Sequence, residues 1–206
     1  MLDEDYGFFI KNFGPATTRE EVPESSVDRY RNRLPNQLLQ YWNEYGWCGF
    51  MDGLFWTVNP QAYEDIIDHW LADKEFYSQD TYHVIARNAF GLLYVWGEKS
   101  GYCLTISSSL GHYSRRASKL KGDKLDFGVR VFFSSMNPEY NDFGDLFIPS
   151  LKRLGKLRAD EMYGLVPALA LGGSIDIEKV AIVKTIEHLE FLSQLSPLTD
   201  WGFPKI

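Results

Sequence analysis

The sequence is poor in cysteine and in long hydrophobic runs, and each shortage excludes a class of protein. Two cysteines, Cys48 and Cys103, are too few to form a disulfide framework that stabilises a chain of 206 residues. No stretch approaches the roughly 20 apolar residues that a transmembrane helix needs. The first residues carry three acids by position 5 and no basic segment, unlike a secretory signal peptide. We therefore expect a protein of the cytoplasm, with free thiols and no membrane partner.

Basic residues are also in deficit. The chain has 21 Lys and Arg against 28 Asp and Glu, which gives a formal net charge of -7. An acidic surface repels the phosphate backbone that nucleic-acid-binding proteins neutralise with Lys and Arg. The composition therefore predicts a basic protein partner and no direct contact with nucleic acid.

Signatures of catalysis and of cofactor binding are missing as well. The four histidines are scattered, and neither Cys-x-x-Cys nor His-Glu-x-x-His occurs. We therefore expect no metal and no cofactor. Residues 107–109 form a serine run without the frame of a nucleophile elbow, and Gly172-Gly173-Ser174 is better explained as the cap of a following helix than as a phosphate loop. The pattern indicates a protein that is not an enzyme, and a Cys-His pair using Cys48 or Cys103 is the open alternative.

The sequence does have many aromatic residues and an uneven charge distribution. Hydrophobic residues make up 45% and aromatics 16%, which predicts a folded protein with a large core. The net charge is -8 over residues 1–110, +4 over 111–137 and -3 over 138–206. The middle segment therefore has the pattern of a basic connector between two acidic blocks, with at most short strands. Its bases are Arg115, Arg116, Lys119, Lys121, Lys124 and Arg130.

Hydrophobic periodicity and turn residues predict the elements of the chain. The predicted helices are 2–13, one capped by Ser25 or Ser26 that runs to 34, 36–45, one that begins at Asn59-Pro60, 143–157 and 176–195. The predicted strands are 53–58, 82–86, 92–96, 102–106 and 129–134. Short turns between the middle strands indicate an antiparallel meander. We expect an α+β fold with a central antiparallel sheet flanked by helices and a mostly helical C-terminal part.

Two blocks of the sequence resemble known families. The first block contains Leu34-Pro35 through Phe50, Asp52-Gly53-Leu54-Phe55-Trp56, Asn59-Pro60, Tyr82-His83-Val84-Ile85-Ala86 and Leu93-Tyr94-Val95-Trp96-Gly97-Glu98. It resembles a GAD-like domain. The second block contains Tyr163 through Gly173, Val183-Lys184 and Glu187-His188-Leu189. It resembles the C-terminal domain of type VI secretion DNase immunity proteins. We accordingly divide the chain into a GAD-like domain (1–110), a basic connector (111–137) and an immunity-protein C-terminal domain (138–206).

This paired resemblance implies a function. It implies an immunity protein without enzymatic activity that binds and neutralises a cognate antibacterial DNase of a type VI secretion system inside the producing cell. The net charge agrees, because a DNase must attract phosphate and is therefore usually electropositive. A small-ligand or RNA-binding regulatory domain, suggested by the basic residues between 115 and 130, is the alternative.

The residues that contact the toxin are predicted from their chemistry. Family motifs rich in tryptophan serve the fold, so we expect the core to contain Trp42, Trp47, Trp56, Trp70 and Trp96. Acids beside turns or helix ends can reach a partner. We therefore expect the toxin to contact Glu44, Asp52, Asp142 and Asp145.

Overall fold

The computed structural model describes residues 3–116 and 120–202. Its α-helices are α1 (Glu4–Phe13), α2 (Glu24–Tyr30), α3 (Asn36–Tyr45), α4 (Glu64–Leu71), α5 (Lys124–Ser134), α6 (Phe147–Leu154) and α7 (Thr185–Leu195). Its strands are β1 (Ala16–Glu20), β2 (Trp47–Phe50), β3 (Phe55–Thr57), β4 (Tyr82–Asn88), β5 (Leu92–Gly97), β6 (Gly101–Ser107), β7 (His112–Arg115), β8 (Glu161–Leu165), β9 (Val180–Lys184) and β10 (Thr199–Asp200).

One large sheet organises these elements. Its strand order is β1-β2-β3-β4-β5-β6-β7-β10, and the strands from β1 to β7 pair antiparallel with their neighbours. The antiparallel meander predicted for the middle strands is therefore confirmed. Strand β10 joins β7 in parallel, while β8 and β9 form a separate antiparallel pair. The α+β class is also confirmed, with a sheet that is mostly antiparallel.

Other elements pack on both faces of the sheet, since successive residues of a strand point to opposite sides and supply apolar side chains to each. On one face, the ring of Phe9 in α1 lies 5.4 Å from that of Phe55, and the ring of Phe132 in α5 lies 5.6 Å from that of Tyr94. The opposite face carries Trp56, which lines a cavity together with the turn that leads into α4. The core is continuous across these layers.

The helix predicted over 36–45 and the helix predicted after Asn59 are confirmed, and the local sequence explains where they begin and end. Gly46 follows α3 with a φ of 82°, a conformation that strains any residue with a Cβ. The Asn59 side chain accepts a hydrogen bond from the Gln61 amide, and Pro60 opens the 3-10 turn before α4. Both signals are local, so the sequence alone was sufficient.

Two predictions near the N-terminus need correction. Helix α2 begins at Glu24 after Pro23, and no side chain caps it, so the predicted serine cap is wrong. The predicted strand 53–58 shortens to β3, because residues 51–53 form a tight turn with a φ of 54° at Asp52. The predicted helix 2–13 is confirmed as α1, and its first residue lies outside the described residues.

The predicted strand 129–134 is wrong, since these residues belong to α5. The alternation Val-Arg-Val is typical of a strand, but a longer window has apolar residues at helical spacings of three and four. These residues are Leu125, Gly128, Val129, Phe132 and Phe133. The segment predicted as a connector thus contains a core helix as well as β7, and its Lys119 lies outside the described residues.

The C-terminal part is less helical than predicted. The predicted helix 176–195 divides into β9 and α7, because the β-branched residues near its start pair with β8. The predicted helix 143–157 shortens to α6, since Phe143 and Asp145 both have a positive φ. Tertiary pairing and backbone turns therefore override the helical pattern in this part.

The tryptophans behave as predicted in the core. All five that were assigned to it are buried, with exposed fractions of at most 8%. They are Trp42, Trp47, Trp56, Trp70 and Trp96. The sixth, Trp201, is largely exposed and belongs to the surface described next.

Candidate partner-binding surface

Strand β8 packs against one end of the large sheet. Phe55 of β3 lies opposite Asn88 of β4, so the turns that precede and follow these residues meet at that end. The Tyr163 amide of β8 donates a hydrogen bond to the Ala89 carbonyl there. We name this the junction end, and it consists of the turns 51–54, 89–91 and 108–111 together with β8.

A buried arginine ties the two halves together. Arg87 of β4 is 0% exposed, and its guanidinium lies 5.0 Å from the centroid of the Trp56 ring. Its Nη2 donates hydrogen bonds to the carbonyls of Ala159 and Glu161 at 2.9 and 2.8 Å. Burial lowers the pKa of this guanidinium. The carbonyl oxygens replace the water that the charged group has lost, so Arg87 fixes the start of β8 to the large sheet.

Beside the junction end, an open groove crosses β5, β6 and β7. Its floor consists of two cross-strand rows, Leu92 with Ser107 and His112, and Tyr94 with Thr105 and Ser114. Both rows lie beyond the C-terminal end of α5, and Ser135 and Met136, which follow this helix, line the edge of the groove. The floor is therefore sheet surface that remains accessible to a partner.

Aromatic residues form the walls, and we name this site the aromatic groove. Phe143 stacks on Phe90 with centroids 5.1 Å apart, and Tyr140 stands beside them with 78% of its surface exposed. Trp201, which follows β10, lies 4.6 Å from His112 and is 66% exposed. Two adjoining cavities of about 330 and 310 Å³ make up the groove.

The aromatic groove also differs from the rest of the chain in charge. Its lining includes Arg116, whose guanidinium lies 5.2 Å from the centroid of the Tyr102 ring. Among the described residues that line either cavity there is no Asp or Glu. Hydroxyl groups of Thr105, Ser107 and Ser114 supply further polar contacts. The groove can accept an apolar side chain and a hydrogen-bonding group.

The sequence predicts Arg116 only as one base of the segment 111–137, and it does not predict the aromatic walls formed by Phe90, Tyr140, Phe143 and Trp201. Tyr140 stands in the sequence Pro-Glu-Tyr-Asn-Asp, with polar residues directly on either side of it. A large aromatic in such a setting is not explained by a core. That signal could have identified Tyr140, whereas the approach of Trp201 to His112 depends on the pairing of β10 with β7.

The four predicted contact acids do not form one cluster. Glu44 lies in the last turn of α3, whereas Asp52 lies at the junction end, with β2 between them. A hydrogen bond from the Gln40 side chain lowers the pKa of Glu44. The Asp52 carboxylate pairs with Lys156 Nζ at 2.7 Å. These two acids are therefore separated by the length of a strand.

Asp142 and Asp145 flank the aromatic groove. They lie on the loop that leads from Tyr140 to α6, on either side of Phe143. The Asp142 carboxylate accepts a hydrogen bond from the Phe147 amide at 2.7 Å, at the start of α6. Asp145 is exposed, with a φ of 65°. Asp142 thus has a capping role, and Asp145 is an exposed residue of the loop that contributes Phe143 to the groove.

The cysteines do not have the setting of nucleophiles. Burial raises the pKa of Cys48 to about 11 and also raises the pKa of Cys103. The Cys48 thiol donates to the Tyr45 carbonyl at 3.0 Å, and Cys103 Sγ lies 3.1 Å from Ser100 Oγ. Both thiols are therefore buried and protonated at neutral pH.

The sequence also raised the questions of a glycine-rich helix cap, a metal site and a membrane-spanning helix. Gly172-Gly173-Ser174 does not cap an α-helix, because Gly172 closes the 3-10 turn Leu169–Leu171, and a second 3-10 turn, Ile177–Lys179, leads into β9. Within residues 3–116 and 120–202, no group of three His, Cys, Asp or Glu side chains is arranged to hold a metal ion. In the same ranges, no helix is long and apolar enough to cross a membrane.

Two family models match the chain. The model of the GAD-like domain matches residues 4–110, and the model of the T6SS immunity protein Tdi1, C-terminal, matches residues 126–196. These matches confirm the two resemblances in the order in which the sequence presents them. No curated protein matches the chain.

A solved structure shares the architecture over nearly the whole chain. The crystal structure of Atu4351 from Agrobacterium tumefaciens matches with a TM-score of 0.86 and 25% sequence identity, over 97% of this chain and 94% of that one. The arrangement of the two regions around the junction end therefore recurs in a second protein. Because the first family model covers more than half of the sequence, this chain belongs to the GAD-like domain family, and behind that domain it has a region that matches the family model of the C-terminal part of the T6SS immunity protein Tdi1.

Proposed function

We propose that this protein binds and neutralises an antibacterial DNase toxin of a type VI secretion system. The observation that carries the proposal is the match of residues 126–196 to the C-terminal region of the immunity protein Tdi1, directly behind a GAD-like domain. Immunity of this kind requires a stable, complementary surface and no catalytic group. The protein acts in the cytoplasm of the producing cell, where the toxin would otherwise reach the chromosome.

Charge supports a DNase as the partner. The chain has a formal net charge of -7, and a DNase needs an electropositive surface to attract the DNA backbone. An acidic inhibitor is steered toward that surface and competes there with DNA. The proposed acidic contacts are Glu44, Asp52, Asp142 and Asp145. Among them, Asp52 would exchange Lys156 for a basic group of the toxin.

Co-expression tests the proposal. Cells that produce the effector encoded beside this gene should lose intact chromosomal DNA, and co-production of this protein should restore both DNA integrity and growth. The purified pair should elute as a stoichiometric complex, and DNA hydrolysis in vitro should fall in proportion to the occupied toxin. The proposal is wrong if none of the neighbouring effectors binds the protein or if DNA is degraded equally in its presence.

A further inference from the structure

The base-rich segment that follows residue 111 contributes to a second cavity, at the end of the large sheet opposite the junction end. At this end β4 begins, β5 and β6 are joined by the turn 97–101, and β7 ends. The cavity has a volume of about 620 Å³, and we name it the basic cavity. We propose that it binds a small anion that carries more than one phosphate group. This inference goes beyond the proposed function and does not depend on it.

Positive charge converges on the basic cavity from three parts of the chain. Lys99 comes from the turn between β5 and β6, Arg115 from the end of β7, and Lys121 from the segment before α5. All three residues are exposed, and none of them forms an ion pair with a carboxylate of the described residues. Like charges that share a cavity repel one another, and a bound anion relieves this repulsion. The arrangement therefore favours an anionic ligand.

Packing holds Arg115 in place without using its hydrogen-bond donors. The guanidinium of Arg115 lies 4.5 Å from the centroid of the Phe76 ring, and Phe76 is buried. A cation–π contact uses the face of the guanidinium, whereas the five N–H donors lie in its plane. Within the described residues, the Arg115 side chain makes no hydrogen bond. Its donors are therefore free to bind phosphate oxygens, which the planar guanidinium can contact in pairs.

Two acids also line the basic cavity, and both accept hydrogen bonds from the backbone. The Asp80 carboxylate accepts from the amides of Lys99 and Ser100 at 3.0 and 2.9 Å and from Ser100 Oγ at 2.6 Å. Asp200 Oδ1 accepts from the Gly202 amide at 2.9 Å. Backbone amides stabilise a carboxylate, so the Asp80 charge serves to shape the turn that carries Lys99. The described lining has four bases against these two acids, so its net charge is positive.

The size of the basic cavity and the number of its bases select phosphate groups. Its volume lies within the usual range of small-molecule sites, and several linked phosphates match several cations better than one carboxylate does. Tyr82 is the aromatic residue of the described lining, but it is buried, and its hydroxyl donates to the Phe76 carbonyl at 3.3 Å. The described lining thus presents no exposed ring on which a nucleobase could stack. We therefore expect the phosphate groups alone to carry the recognition.

Calorimetric titration of the full chain with sodium tripolyphosphate tests the proposal. Binding to wild type should be measurable at about 50 mM NaCl and should weaken at about 500 mM, because salt screens exposed charges. The double variant K99E/K121E should raise Kd by about 30-fold or more, since it reverses two of the converging charges. ATP should bind with a Kd within about threefold of that of tripolyphosphate, because both ligands carry three linked phosphates.

Two further variants separate the basic cavity from the general field of the protein. K11E/K152E reverses two exposed lysines outside the cavity and should leave Kd within about threefold of wild type. D200N removes a negative charge from the lining and keeps an oxygen that can accept from the Gly202 amide, so it should lower Kd by about twofold to threefold. Thermal melts identify any variant that loses its fold.

Three results would overturn the inference. The first is the absence of tripolyphosphate binding at low salt, and the second is an equal loss of affinity in K99E/K121E and K11E/K152E. The third is a fluorescein-labelled single-stranded DNA that binds wild type but not K99E/K121E and that tripolyphosphate does not displace, since this would assign the cavity to nucleic acid. Binding of the effector and protection of cells test the proposed function separately, so either proposal can fail without the other.

Discussion

At the scale of single residues, Arg87 of β4 links the large sheet to the segment that begins β8. Replacing it with Met should reduce the free energy of unfolding by about 3–5 kcal/mol, because the carbonyls of Ala159 and Glu161 lose their donor inside the protein. Urea denaturation measures this change. Arg31, which pairs with Asp28 on the surface, is the control, and R31M should leave the midpoint nearly unchanged. Equal midpoints for R87M and wild type would contradict the role of Arg87.

A buried histidine, His83, and a half-buried one, His188, predict a pH dependence of stability. Burial lowers the pKa of His83 and of His188 below the ordinary histidine value of 6.5. His83 Nε2 also forms a hydrogen bond with the Glu98 carboxylate. As the pH falls through 6.5, the unfolded chain takes up these protons first, so the free energy of unfolding decreases until the lower folded pKa is reached. Each histidine contributes at most about 1.4 kcal/mol per pH unit.

Urea midpoints at about pH 7.5 and pH 5.5 measure this dependence. The midpoint should be lower at the acidic value, and H188Q should show a smaller difference than wild type. Carboxylates with a lowered pKa, such as Asp160 beside Lys184, lose their contribution only below their ordinary range and therefore do not mask the effect. A midpoint that stays constant between the two values would contradict the assignment to histidine.

At the scale of elements, two helix ends give a matched comparison. Gly14 ends α1 and Gly46 ends α3 with φ of 77° and 82° and ψ near 180°, a region that is almost confined to glycine. A Cβ at Gly14 would meet nothing, whereas a Cβ at Gly46 would collide with the Glu20 carbonyl of β1. G14A should therefore destabilise the fold by about 1–3 kcal/mol and G46A by more. Chemical denaturation of both variants measures this order, and the reverse order would contradict it.

Elements were predictable where their signals are local. The Asn59-Pro60 start of the turn before α4 and the Gly46 end of α3 depend on neighbouring residues alone, and both were read correctly. Residues 129–134 alternate like a strand over a short window but belong to a helix whose apolar face packs on the sheet. Residues 180–184 have a helical spacing but pair with β8, because a β-branched segment gains ladder hydrogen bonds once a partner strand is adjacent.

At the scale of the whole molecule, the acidic field predicts how fast the toxin associates. A double variant that reverses the charges of both Asp142 and Asp145 should lower the association rate constant of the toxin at low salt. It should change the dissociation rate constant less, since charges at the edge of an interface mainly steer the encounter. Reversing Glu44 with Asp52 should have a similar effect if the field of the whole face contributes. Stopped-flow or biolayer measurements at two salt concentrations check this, because screening should reduce the difference. Unchanged association rates in both double variants would contradict the placement of these acids.

The sequence by itself determined the class of the fold, the two family regions in their order, the buried tryptophans and the acidic balance, because composition, short-range periodicity and local motifs depend on neighbours along the chain. Tertiary structure alone decided the rest. Asn88 and Asn141, or His112 and Trp201, are far apart in sequence and become neighbours only through strand register and the seating of the second region on the junction end. The aromatic groove consists of such long-range juxtapositions, and no local pattern encodes a distance between residues that meet only when the chain has folded.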